Sequence, residues 1–164
     1  MFASPTEAIV SALRMSKRML HRFVDDLKPH EFEVQASFGT NCIAWLIGHL
    51  AMTDRRSLGW LGARNLPPLP PEFEEKFLKT GRSAESQTGF GDPKELIALF
   101  DEHRDRMIEA MATADPALFL EPPSFQSPMF ADKGEAFLFM SLHTMMHLGQ
   151  ISSIRRSLGY PPIT

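Results

Sequence analysis

Apolar residues recur at every third or fourth position in four stretches of the chain, a period that lays them along one face of an α-helix. The first stretch runs from residue 4 to about residue 27. Ile9, Leu13, Leu20, Phe23, Val24 and Leu27 share one side, with Arg14, Lys17, Arg18 and His21 on the other. Its opening, Ser4-Pro5-Thr6-Glu7, sets a capping hydroxyl, a proline at the first helical position and an acid at the third, and Pro29 stops it. The second runs from residue 41 to about residue 61, with Thr40 or Asn41 as its cap and Cys42, Leu46, His49 and Thr53 on one stripe. The third opens in the same way as the first, with Asp92-Pro93-Lys94-Glu95. It carries Leu96, Leu99, Phe100, His103, Met107 and Met111, and ends at Asp115-Pro116. The fourth reads from Asp132, in a D-x-x-E cap with Glu135, to Leu158, where Gly159, Pro161 and Pro162 end it. Along it Ala136, Met140, His143, His147, Ile151, Ile154 and Leu158 step by three or four, which predicts that both histidines face the core.

No strand signal is present, so four amphipathic helices predict an all-α four-helix bundle, with residues 1–164 as a single domain. The connection 62–92 contains Pro67-Pro68-Leu69-Pro70-Pro71 and is far longer than two antiparallel neighbours need. It can carry the chain back along the bundle, leaving helices two and three parallel; a mobile insertion is the alternative. Phe73, Phe77 and Leu78 predict a short helix inside it, and the Gly- and Ser-rich residues 81–91 its most flexible part. The loop 114–131 is rich in apolar residues, among them Leu118, Phe119, Leu120, Phe125, Met129 and Phe130. It is expected to pack over an end of the bundle or to line a pocket there.

Composition narrows the function classes. The net charge is −3 and the basic residues are dispersed, so neither nucleic acid nor an anionic membrane is an expected partner. One Tyr against 13 Phe and 10 Met predicts a soft, apolar interior. Cys42 is the single cysteine, which excludes an internal disulfide and a cysteine-rich zinc site, and it is expected to be an inert core thiol. No apolar run has the length of a membrane span and no signal-peptide core is visible, so a cytoplasmic location is expected.

Histidine carries the candidate chemistry. His143 and His147 stand one helical turn apart, about 5–6 Å between Cβ atoms. Buried, each needs a polar partner, either a carbonyl or carboxylate of its own or one cation shared between them. His49, on an inward face of another helix, is the best candidate for a third ligand. Three imidazoles leave coordination positions open to water or substrate, the pattern of catalytic rather than structural sites, and suit zinc, nickel, copper or ferrous iron. His21 and His30 read as solvent-facing or loop residues, and the charged neighbours of His103 place it at the rim. Gln150, one turn beyond His147, is a candidate to orient that ligand. No firm general base is visible, Asp54 and His103 being the candidates. Gly48, directly before His49, costs its helix roughly 1 kcal/mol against alanine. It is there for close packing or is a tolerated imperfection. The motifs of zinc peptidases, phosphate-binding loops and serine-hydrolase elbows are absent, as is a credible Cys–His nucleophile.

Two segments are more specific. Asn41-Cys42-Ile43-Ala44-Trp45-Leu46-Ile47-Gly48-His49-Leu50 resembles the N-x-x-A-W-x-x-G-H-L segment of the DinB-like family of metal-binding bundles. His143-Thr144-Met145-Met146-His147-Leu148-Gly149-Gln150-Ile151, followed by Arg155 and Gly159, resembles that family's terminal H-x-x-x-H-x-G-Q-I-x-x-x-R-x-x-x-G signature. The resemblance implies a left-handed bundle ordered up-down-down-up, and a divalent ion (Zn, Ni, Fe or Mn) held by His49, His143 and His147. It further implies a small-molecule substrate, with a metal-dependent hydrolase or a transferase using a low-molecular-weight thiol such as bacillithiol or mycothiol as the expected activity, or a non-catalytic metal-binding stress-response module. Homodimers are common among such proteins. The additional C-terminal domain of the mycothiol-dependent isomerases has no counterpart here, which points away from that activity.

Overall fold

The computed structural model describes residues 4–63, 65–77, 88–123 and 128–163. Five helices form where the spacing predicts them: α1 (Pro5–Val24), α2 (Ile43–Trp60), the short α3 (Phe73–Phe77), α4 (Pro93–Thr113) and α5 (Lys133–Ser157). Three of the predicted caps close as hydrogen bonds. Glu7 N–H donates to Ser4 Oγ, Lys94 N–H to Asp92 Oδ1 and Glu135 N–H to Asp132 Oδ1. The start of α2 differs from expectation. Cys42, rather than Thr40 or Asn41, is its N-cap, and the Thr40 hydroxyl is committed to a preceding turn, donating to Ser37 O. Leu78 and most of the predicted flexible stretch, residues 81–87, lie outside the described residues, as does Phe125.

Side-chain pairings fix the directions of the four long helices. His103 meets Ala51 and Arg104 meets Asp54, while Leu58 and Ala110 line one cleft, so α2 and α4 run parallel. Pro5 lines a groove with Gly134, and Asp26 meets Arg155 at the opposite end, so α1 and α5 are parallel too. Ser57 against Met140 and His49 against His147 set α2 antiparallel to α5. The result is a four-helix bundle ordered up-down-down-up, in which the long second connection is the crossover that parallel α2 and α4 require. No strand occurs among the described residues, and none of their helices is long and apolar enough to cross a membrane.

The core has two apolar clusters. One gathers Leu20, Val24, Leu46, Ile47, Phe100, Ile151 and their neighbours; the other gathers Leu13, Leu58, Met107, Met111, Phe137 and Met140. A buried polar layer separates them, and Arg104 is its centre. Its Nε and Nη2 donate to Asp54 on α2, Nη1 to Ser16 Oγ (2.7 Å) and Leu13 O on α1, and Nη2 also to Thr144 Oγ1 (2.9 Å) on α5. All five N–H donors of one guanidinium are thereby used, and they tie α4 to the other three long helices. A second arginine locks the end of the bundle. Arg155 donates to Phe23 O and Asp26, and its guanidinium lies 4.5 Å from the ring centroid of Tyr160, whose hydroxyl donates to Glu31.

Apolar residues of the loop after α4 cover the bundle's end as expected. Phe119, in a 3₁₀ turn over Pro116–Leu120, is buried edge-on against Phe137 of α5, and Phe130 packs on Phe139.

Candidate metal centre

α2 and α5 cross so that His49 meets the pair on α5. The ring centroids of His49 lie 5.2 Å from His143 and 5.3 Å from His147, and those of His143 and His147 are 4.5 Å apart. Each ring offers one donor nitrogen, and the three nitrogens lie within 4.8 Å of one another. The histidine face differs from the simple prediction of a fully buried stripe. α5 buries Ser141, Thr144, Leu148 and Ile151, which turns His143 and His147 to the half-buried edge of that face. A ligand site needs that position, since a fully buried ring would leave no room for substrate.

Hydrogen bonds select the tautomers. His49 Nδ1–H donates to the Phe77 carbonyl at 2.9 Å; a carbonyl only accepts, so His49 Nε2 carries the lone pair. His147 Nδ1 meets Gln150 Oε1 at 2.7 Å, which leaves its Nε2 as a lone pair 3.0 Å from His143 Nε2. Two such nitrogens face to face are satisfied by one donated proton or by a shared cation. Burial, reinforced by the neighbouring His147 and His49 rings and by Arg104, pushes His143 down to about 3. Burial likewise lowers His147, the Gln150 bond opposing it in part. Both rings are neutral at pH 7, the form that binds metal.

Three imidazoles, two of them with the second nitrogen anchored, fit a divalent ion. Ligand nitrogens on a tetrahedral ion with bonds of about 2.0–2.1 Å stand about 3.3 Å apart. His143 and His147 are already near that spacing, and His49 offers a nitrogen within 4.8 Å of both. Aromatic rings wall the site. Trp45 stacks on His49 with centroids 4.8 Å apart and planes within 9°, and Phe139 stacks on His143 at 5.6 Å.

The remaining candidates sit elsewhere. His103 is a correction to the rim position: it is 1 % exposed, its Nδ1 donates to Ala51 O, and burial lowers its pKa. Asp54 is sealed in the core against Arg104 and faces no open site. Cys42 is fully buried, and burial raises its thiol to about 11, an inert group as expected. His21 bridges Asp25 and Asp101 on the surface. Sequence reasoning missed the parts played by Phe77, Trp45 and Phe139. The tryptophan and the glycine of the α2 segment were the available signal, whereas a backbone carbonyl leaves none.

Gly48 now has its reason. A Cβ built there would stand 2.2–2.5 Å from three carbons of the Phe77 ring, so the ring rests on α2 where a glycine leaves room for it.

No curated protein matches the chain in sequence. Among solved structures the chain is similar to YfiT from Bacillus subtilis, with a TM-score of 0.69 and 16 % identity, over 98 % of this chain and 91 % of that one. YfiT is described as a probable metal-dependent hydrolase with an unusual four-helix bundle topology, and at this identity the likeness concerns the fold. The family model of the DinB superfamily matches residues 12–151, a span that includes both histidine segments, and the chain belongs to that superfamily.

Proposed function

We propose that this protein is a divalent-metal-dependent enzyme in which His49, His143 and His147 hold the ion and a small molecule is the substrate. The observation that carries the reading is the histidine trio, in which His49 and His147 are each anchored through Nδ1 and present Nε2. A divalent ion bound there lowers the pKa of a water or thiol ligand, supplying hydroxide or thiolate near neutral pH. The donor set is all-imidazole and leaves the ion's charge uncompensated, which favours an anionic further ligand of that kind. Phe77 and Gln150 orient their histidines, while Trp45 and Phe139 exclude water from two sides. Hydrolysis, or S-transfer from a low-molecular-weight thiol, is the chemistry these features support, and the metal-dependent hydrolase description of YfiT supports the first.

A second reading rests on the acid–base inventory. Asp54 is locked in an ion pair and His103 in the core, so neither candidate base serves the site. In this reading the protein is a metal-binding module without turnover.

A second copy of the chain is the proposed protein partner. α5 has no charged residue between Glu135 and Arg155, and its outer side exposes Leu138, Leu142, Met145 and Met146. Such a face needs an uncharged apolar complement, and the same face on a second copy supplies one.

The test is elemental analysis of untagged protein beside His143→Ala. About one equivalent of metal in the parent and little in the variant supports the site, and thiol-transfer and hydrolysis screens then separate the two readings. Metal-free parent protein after incubation with zinc, nickel and manganese overturns both.

A further inference from the structure

α3 is five residues long, too short to hold its own helical form in water. The last carbonyls of any helix find no donor within it. In α3 two of them accept from side chains of α2 that stand one turn apart: Lys76 O from Trp45 Nε1–H at 3.2 Å, and Phe77 O from His49 Nδ1–H at 2.9 Å. Between those two donors lies Gly48, on which the Phe77 ring rests, buried to 1 % exposure and flanked by Phe73 and Phe90. Trp45 covers the His49 ring from one face. The crossover thus fixes one imidazole by its proton and its backbone, while the neighbouring tryptophan fixes its ring plane.

Resting on the metal reading above, we propose that α3 is a positioning element for the ion, so that docking of α3 and metal binding strengthen each other. The Phe77 carbonyl keeps the proton of His49 on Nδ1 and its lone pair on Nε2. With α3 undocked, either tautomer and other ring rotamers become accessible, and the share of molecules ready to bind falls. Coupling of this kind is reciprocal: what seats α3 raises metal affinity, and metal seats α3 by the same factor. Phe77, Lys76 and Trp45 act through His49 and are positioning residues.

The experiment measures zinc affinity by chelator competition, and amide hydrogen exchange with and without zinc, in the full-length protein and two variants. Gly48→Ala pushes the Phe77 ring off α2; Trp45→Phe keeps the stack on His49 but removes the bond to Lys76. Zinc is expected to slow exchange at Lys76 and Phe77 several-fold in the parent. Gly48→Ala is expected to bind zinc about 10–100-fold more weakly and to lose that protection, while exchange in α1 and α4 stays as in the parent. Trp45→Phe is expected to lie between them. A parent that binds zinc without any change in α3 exchange overturns the inference alone, as does a folded Gly48→Ala with parental affinity. Should Gly48→Ala not fold, parent exchange and Trp45→Phe decide. A parent that binds no zinc overturns it together with the metal reading.

Discussion

The Arg104 guanidinium grips the Asp54 carboxylate through Nε and Nη2, at 2.6 and 3.0 Å, in the centre of the bundle where neither group meets water. Breaking one side of such a pair strands a buried charge. Arg104→Met is therefore expected to cost about 3–5 kcal/mol in urea unfolding, and Arg104→Met with Asp54→Leu to recover much of it. Burial pushes the Asp54 carboxyl up even with Arg104 pulling it down, so in the single variant Asp54 takes up a proton. A loss below about 1 kcal/mol would show that water reaches the layer.

Gln150 is exposed and meets the site through His147. Gln150→Ala is expected to leave the melting temperature of the metal-free protein within a degree or two, and to weaken metal binding about 10–100-fold. Titration with zinc against a chelating dye measures it. Equal affinity in the two proteins would remove Gln150 from the site.

Three histidines make the metal-free protein acid-sensitive. Burial holds His143 (at about 3), His147 and His103 below the ordinary value near 6.5. Below pH 6.5 the unfolded chain therefore binds protons that the folded chain refuses, and stability falls, by up to about 1.4 kcal/mol per pH unit for each group. His21 works the other way. Although burial opposes it, hydrogen bonds to Asp101 and Asp25 raise it, so its contribution is full below its unfolded pKa and fades as pH rises through the folded one. Three groups outnumber the two that work the other way, His21 and the burial-raised Asp54, and predict a lower urea midpoint at pH 5 than at pH 7.5, with a flatter dependence in His143→Ala. A midpoint that rises toward acid would mean that the site histidines protonate in the fold.

Leu142 is 52 % exposed at the middle of the uncharged side of α5. Leu142→Glu would set like charges against each other across a two-fold contact. Light scattering is expected to give a dimer for the parent and a monomer for the variant, with unchanged helical circular dichroism. A dimeric variant would move the interface elsewhere.

Much of the fold was legible because local signals agreed with one another. Ser4, Asp92 and Asp132 each begin a helix by the bond their position predicts. The length of the second connection pointed to the parallel course of α2 and α4, with a mobile insertion as the alternative. The clustering of His49, His143 and His147 was legible because spacing and motif both mark them. Arg104 was not. In sequence it sits among Asp101, Glu102 and Asp105, all of them charged, and the period of a helix cannot say that one charge of such a run turns inward to a partner on another helix. His103 was misplaced for the same reason. The hold of α3 on His49 was invisible because its decisive atom is a main-chain oxygen, which every residue owns.

His143 and His147 come from one helix, while His49 lies most of the chain's length away in sequence. A chain that has formed only α5 presents two of the three nitrogens, and the third arrives when the crossover has returned and α2 has settled against α5. Ring closure over so long a stretch has a chain-entropy cost, and an ion bound by all three, as proposed, would hold that ring shut. Acquisition of full-strength metal binding during refolding would thus time the closing of the topology, after helix formation is complete.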